Sequence, residues 1–231
     1  MRSAIRQIAQ GLSHILYPRL CEACHQPLLA QEQVLCIGCE TYLPLTHYHP
    51  ISDNETSNRL AGRFPFQHAT SLAYFTEENL LQHLLHRLKY KNRQGIGLYL
   101  GEMIGQAIQP LSWGIDAIVA VPLHVKKQAK RGYNQSLLIG EGITRILHVP
   151  LFGNAVERIK NTATQTDKNR QERIDNVRNS FHVKSDKELT AKHVLLVDDV
   201  LTTGATLEAC ASELLKVKGV QLSIATAGIA I

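Results

Sequence analysis

Two rhythms of apolar residues alternate along most of the chain. The stretch 69–75 (Ala-Thr-Ser-Leu-Ala-Tyr-Phe) predicts a strand. Behind it Leu80, Leu81, Leu84, Leu85 and Leu88 recur at helical spacing, with Thr76 as a good N-cap. A second helix is predicted over 96–108, ending before Pro110. The run 115–121 is continuously apolar with a β-branched bias, the pattern of a strand buried on both faces, and Pro122 closes it. A helix over 135–147 and a short buried strand over 194–197 follow. A helix over 206–217 puts Leu207, Cys210, Ala211, Leu214 and Leu215 on one face, and a last strand covers 220–227. Strands alternating with helices imply βαβ units, so the expected fold class is α/β: a mostly parallel sheet with helices on both faces.

The stretch 51–66 is polar and broken by Gly62 and Pro65, and it predicts a linker between an N-terminal region, 1–50, and the α/β domain, 67–231. Near the N-terminus Ile5, Ile8, Ala9, Leu12, Ile15 and Leu16 fall at helical spacing. An amphipathic helix there packs on its own protein or lies against a membrane surface. No apolar run approaches the roughly 20 residues a membrane span needs. His14 and its polar neighbours interrupt any signal-like apolar core, and no small-residue cleavage site follows, so the cytoplasm is expected, with the inner face of the membrane as the peripheral alternative.

Composition narrows this picture. With 44% hydrophobic and 19% charged residues in 231, the chain has material for a packed core and excludes wholesale disorder. The net charge of +5 is concentrated: residues 124–187 hold 13 Lys or Arg against 6 Asp or Glu. Such a concentration suits phosphate or nucleic acid, although a solvated basic face needs no ligand. Aromatic residues make up only 6%, with Trp113 the sole tryptophan, which argues against an extended platform for stacking bases.

Cys21, Cys24, Cys36 and Cys39 form two C-x-x-C pairs separated by 11 residues. That spacing aims four thiolates at one tetrahedral centre, the geometry of a structural Zn²⁺, and Gly38 is expected to give the second turn its backbone freedom. A disulfide pair fits poorly with a cytoplasmic chain, and a redox C-x-x-C lacks its usual βαβ setting here. A closed four-cysteine site holds a small zinc ribbon together and has no open position for catalysis. Cys210, alone in a predicted helix, reads as a small buried hydrophobe.

The densest chemistry lies in 194–206, Val-Leu-Leu-Val-Asp-Asp-Val-Leu-Thr-Thr-Gly-Ala-Thr. A buried strand is expected to end in Asp198 and Asp199, and a hydroxyl-rich turn then opens a helix. At the carboxyl end of a parallel strand, the N–H groups of such a turn converge on an anion site. Thr202, Thr203 and Thr206 add hydroxyl donors, and Gly204 lets the backbone close round a phosphate. The acids would repel that phosphate unless they hold sugar hydroxyls or a Mg²⁺ instead, which together describes a phosphorylated ribose. No Walker motif and no G-x-G-x-x-G after a strand occurs in the chain.

This stretch resembles the phosphoribosyl pyrophosphate-binding motif of type I phosphoribosyltransferases. Together with the cysteine knuckles, Lys89-Tyr90-Lys91, Val121-Pro122-Leu123, Arg131-Gly132-Tyr133-Asn134-Gln135, Gln165, Arg173, Asn176 and Phe181, it resembles the ComF family of competence proteins over nearly the whole chain. The resemblance implies a type I phosphoribosyltransferase-like domain with an N-terminal four-cysteine zinc ribbon. It further implies Asp198 and Asp199 as the catalytic pair on the ribose hydroxyls, and Thr202, Thr203, Gly204, Ala205 and Thr206 round the ribose phosphate. The loop carrying Lys126, Lys127 and Arg131 would face pyrophosphate, and Gln165, Arg173 and Asn176 would belong to a closing lid. The implied function is DNA uptake in natural transformation, with phosphoribosyl pyrophosphate and Mg²⁺ or single-stranded DNA in the pocket and the DNA-uptake machinery as a partner. A Mg²⁺-dependent transferase acting on a nitrogen acceptor is the alternative, and His124 or Tyr133 could contact such an acceptor.

Overall fold

The computed structural model describes residues 18–159, 180–184 and 186–231. It divides into two compact units, Met1–Leu43 and Pro44–Ile231. The region expected to form the N-terminal amphipathic helix, 5–16, lies outside the described residues, and no helix among those described is long and apolar enough to cross a membrane.

In the first unit Leu20 and Pro27 bridge in antiparallel fashion, closing a turn round Cys21 and Cys24. A single helical turn, α1 (Ile37–Glu40), follows Cys36. The buried apolar side chains of this first unit, among the described residues, are Cys21, Leu28, Val34, Leu35 and Leu43.

The second unit begins differently from expectation. Residues 51–66 contain a helix, α2 (Glu55–Leu60), started by a reciprocal cap in which the Asn54 side chain accepts from Ser57 N and Ser57 Oγ accepts from Asn54 N. The Asn54 amide also donates to the Ala69 carbonyl at 2.9 Å, tying this helix to the first strand. The polarity of the segment imitates a linker because Asn54, Thr56 and Ser57 are buried with their hydrogen bonds satisfied, not solvated.

Four parallel strands form the main sheet: β1 (Ala69–Phe75), β2 (Ala117–Ala120), β5 (His193–Leu201) and β6 (Gln221–Ala230), in the order β1-β6-β5-β2. A short antiparallel pair, β3 (Val156–Arg158) and β4 (Phe181–Val183), stands apart from it. The helices are α3 (Leu80–Tyr90), α4 (Gly95–Ile108), α5 (Val125–Arg131), α6 (Gln135–Leu147), α7 (Asp186–Leu189) and α8 (Ala205–Leu214). Leu207, Cys210, Ala211 and Leu214 of α8 join Val194, Leu196 and Ile224 in one core, so Cys210 is the small buried hydrophobe expected. Alternate residues Ile118, Leu195 and Val197 are equally buried, as a sheet covered on both faces requires. Helices α4 and α6 meet backbone to backbone: a methyl group on Gly101 would fall 2.0 Å from the Ile139 carbonyl oxygen.

Three local expectations change. Helix α3 is capped by Asn79, whose side chain accepts from Gln82 N at 2.9 Å, and not by Thr76, because Glu78 in left-handed backbone (φ 65°) separates Thr76 from the helix. Strand β5 does not stop at Val197 but carries both acids and runs to Leu201, paired with β6 through Asp198 opposite Thr226 and Leu201 opposite Ile229. The segment after Val121-Pro122-Leu123 is helix α5, capped by His124, and not a loop.

Candidate functional site

The four cysteine sulfurs all lie within 4.8 Å of one another. Cys24 Sγ and Cys36 Sγ are 3.7 Å apart, close to the edge of about 3.8 Å that a tetrahedron with Zn–S bonds of about 2.3 Å requires. The Cys36 N–H points at Cys21 Sγ at 3.4 Å, and Glu32 braces the second turn by accepting from Leu29 N and Ile37 N. Burial opposes ionisation of Cys21, but the backbone N–H groups of Cys24, Cys36 and Ala23 outweigh it and bring the thiol down to about 6. Burial and the neighbouring thiols push Cys39 up to about 12. Donor type, number and spacing therefore fit a tetrahedral metal ion such as zinc. The left-handed residue of these turns is His25 (φ 61°), while Gly38 sits within α1.

In the second unit Asp198 and Asp199 occupy the C-terminal half of β5, each 8% exposed. Helix α6 delivers two partners because Asn134 caps it, accepting from Ser136 N at 3.1 Å and donating to the Val121 carbonyl at 3.0 Å. Ser136 Oγ then donates to Asp198 Oδ1 at 2.8 Å, and Gln135 Nε2 donates to Asp199 Oδ2 at 3.2 Å. Helix α3 sends Lys89 to Asp199, Nζ to Oδ2 at 2.5 Å. Burial first, then the adjacent Asp199 charge, push the Asp198 carboxyl up to about 7.

Directly after β5, Thr202, Thr203 and Gly204 form a turn into α8, with both threonines exposed and Gly204 in left-handed backbone (φ 81°). Ala205 and Thr206 begin the helix half-buried, and the Ala205 N–H points to Thr203 Oγ1 at 3.4 Å. Ten residues of α8 direct their N-terminal dipole at this turn. From the segment expected to be a linker, Arg59 Nη1 donates to the Thr202 carbonyl at 3.3 Å and also to that of Ala230.

Beside Lys89 opens a cleft of about 800 Å³ lined by Lys89, Tyr90, Lys127, Lys130, Arg131 and Tyr133 among others. Of the three cations expected to face pyrophosphate, Lys127 and Arg131 line this cleft, whereas Lys126 is exposed outside its lining. Lys130 takes the place instead, because residues i, i+3 and i+4 share a helix face. Arg131 donates to Gln135 Oε1 at 2.8 Å, so Arg131, Gln135, Asp199 and Lys89 form one polar chain from cleft to acid pair. His124 and Tyr133 each hold a backbone group: His124 Nδ1 accepts from Lys126 N at 3.2 Å and the Tyr133 hydroxyl donates to the Leu88 carbonyl, while Tyr133 also lines the cleft. Gln165, Arg173 and Asn176, the expected lid, lie outside the described residues.

Sequence reasoning missed the roles of Lys89, Gln135, Ser136 and Arg59. The i, i+4 spacing of Arg131 and Gln135 was the available signal for one of them.

The model of the phosphoribosyl transferase domain family matches residues 133–230, which contain α6, the acid pair and the threonine turn. Competence protein F of Haemophilus influenzae is 30% identical over 214 residues, 87% of this chain and 92% of that protein. DNA utilization protein YhgH of Escherichia coli is 30% identical over 216 residues, 86% of this chain and 92% of that one. Among solved structures, a glutamine phosphoribosylpyrophosphate amidotransferase from B. subtilis aligns with a TM-score of 0.38 and 17% identity, covering 55% of this chain and 25% of its own.

Proposed function

The chain belongs to the ComF family of competence proteins, and from that premise we propose that it serves DNA uptake by holding a phosphoribosyl unit at the acid pair and threonine turn. One observation carries the reading: two buried carboxylates, fixed by Ser136, Gln135 and Lys89, immediately precede a glycine-containing hydroxyl turn at a helix N-terminus. Asp198 and Asp199 accept hydrogen bonds from the ribose hydroxyls, and Thr202 to Thr206 donate to the 5-phosphate. Among the described residues the cysteines are the one cluster of three or more side chains suited to a metal. A Mg²⁺ at the acids would therefore be shared with the ligand's own phosphates, where it neutralises a pyrophosphate. Zinc at Cys21, Cys24, Cys36 and Cys39 is structural.

The cleft supports single-stranded DNA as the macromolecular partner, read through its backbone. Among the described residues four cations line it and no carboxylate does, while the Tyr90 ring already carries Arg131 5.4 Å from its centroid and His86 at 4.9 Å. Its volume also favours a second reading, a transferase with room for a nitrogen acceptor beside Lys89.

Calorimetric titration of phosphoribosyl pyrophosphate with Mg²⁺, repeated with a short single-stranded oligonucleotide, tests these readings. Saturable binding that the oligonucleotide displaces, with DNA affinity falling steeply as salt rises, is the expected result. Binding indifferent to DNA, with pyrophosphate released on adding a nitrogen heterocycle, would move the conclusion to the transferase.

A further inference from the structure

Arg63 stands over the threonine turn from outside every motif the sequence displays. Its Nε donates to the Arg59 carbonyl at 3.0 Å, its backbone N–H to the Leu60 carbonyl at 3.2 Å, and its Nη1 meets Glu208 Oε2 at 3.1 Å. A methyl group built on Gly204 would lie 3.7 Å from the Arg63 guanidinium carbon, so this cation rests against the turn itself. Glu208 belongs to the first turn of α8, and its N–H closes that turn on the Gly204 carbonyl at 2.9 Å. The ion pair is part-exposed, 36% for Arg63 and 23% for Glu208.

We propose that Arg63 and Glu208 form an anion latch at the mouth of the threonine turn, in which an entering phosphate monoester replaces the Glu208 carboxylate as the partner of Arg63. This rests on the reading of the turn as a phosphate site and adds a binding residue, supplied by the 51–66 segment, together with a resident competitor. Three physical points support it. The Glu208 carboxylate complements the positive end of α8, which is the same field a phosphate would use. A part-exposed Arg–Glu pair is weak, so exchanging it is easy, whereas guanidinium can grip phosphate bidentately. Arg63 is held at Nε by the Arg59 carbonyl, leaving the Nη side to change partner without moving the stem. Glu208 also keeps ligands with weak negative charge out of the turn, since they cannot outcompete a full carboxylate.

The test is titration of ribose 5-phosphate into the wild type, Arg63→Gln, Arg63→Lys and Glu208→Gln, each checked for an unchanged circular dichroism spectrum. The latch requires opposite signs: Arg63→Gln weakens binding about tenfold, Arg63→Lys less, and Glu208→Gln tightens it by about threefold to tenfold. If Glu208→Gln weakens binding as Arg63→Gln does, the pair is a structural tie and the latch is wrong, while the phosphate reading stands. If the wild type and all three variants ignore ribose 5-phosphate, the phosphate reading falls and the latch with it.

Discussion

In the first unit four thiols converge within a fold whose other buried apolar side chains are Leu28, Val34, Leu35 and Leu43 among the described residues, whereas in the second two carboxylates sit on a strand flanked by core on both faces. The thiols have little scaffold of their own, so a metal would supply the folding energy and the ligands would define the structure. The carboxylates are held by Ser136, Gln135 and Lys89 before any ligand arrives, so the scaffold defines the site. A cluster can thus be either the cause of its fold or its passenger.

The largest effect expected from this difference is loss of metal. Removing zinc by chelation, or one ligand by Cys24→Ser, forfeits on the order of 10 kcal/mol of folding energy local to the cysteine unit. Residues 18–43 should lose amide protection in hydrogen exchange while ribose 5-phosphate binding by the second unit persists. Full protection of 18–43 in metal-free protein would make that unit self-sufficient and dissolve the contrast.

The converse experiment is Asp198→Asn with Asp199→Asn. Ligand affinity should fall at least about a hundredfold, the order expected when two charged acceptors are lost from one site. The melting temperature should move by only a few degrees, because the amides keep the shape and relief of the repulsion between two buried acids offsets the loss of the Lys89 ion pair, whose part-exposed ammonium stays hydrated. Collapse of the fold would show that these acids, like the thiols, are structural.

Next in size is a dependence on pH that the buried acid pair gives the second unit near neutrality. Asp198 titrates at about 7 when folded against 3.8 as a free side chain, so between those values the native state holds a proton the unfolded chain has lost. The stability contributed by this group is full below about pH 4 and falls, by an amount on the order of a few kcal/mol, as pH rises to about 7. Affinity for ribose 5-phosphate should rise over the upper part of the same window, since the carboxylate accepts hydroxyl hydrogen bonds better than the acid does. Denaturant melts and titrations from about pH 5 to about pH 8 on the wild type and Asp198→Asn check both trends: the variant should lack the stability trend and keep only the part of the affinity rise that comes from the ligand phosphate, whose second ionisation lies at about pH 6.

The two regions were also unequally legible in the sequence. Both clusters stand out because each is local: the thiols span 19 positions and the acids adjoin their turn. The strands and helices of the second unit follow from periodicity, as with β1 over 69–75 and α6 over 135–147. What stayed hidden depends on distance in the chain. Lys89 reads as a polar residue beside the Leu face of α3, and its partner Asp199 is 110 positions away. Arg59 and Arg63 lie in a stretch whose polarity imitates a linker, and only the packing of α2 brings them to Thr202 and Glu208. The continuation of β5 through two acids defeats hydrophobicity as a guide, because helices α3 and α6, not apolar contacts, supply their partners.

The smallest expected effect separates the regions by sign. Gly38 and Gly204 both follow the sequence logic of a glycine in a ligand-binding turn, but they occupy different backbone. Gly204 is left-handed at φ 81°, and a methyl group there meets Leu60 Cδ2 at 3.1 Å. Alanine at 204 therefore costs about 1–2 kcal/mol from backbone strain, before any shift of the Leu60 methyl. Gly38 lies inside α1 with nothing within 4 Å of an added methyl, and alanine there removes chain entropy from the unfolded state, worth about 0.5–1 kcal/mol in favour of the fold. Chemical denaturation of the zinc-loaded protein should show Gly204→Ala destabilised, and hydrogen exchange should show equal or greater protection of 18–43 in Gly38→Ala. A loss in both would place Gly38 in strained backbone after all and return the cysteine turn to the role its sequence suggested.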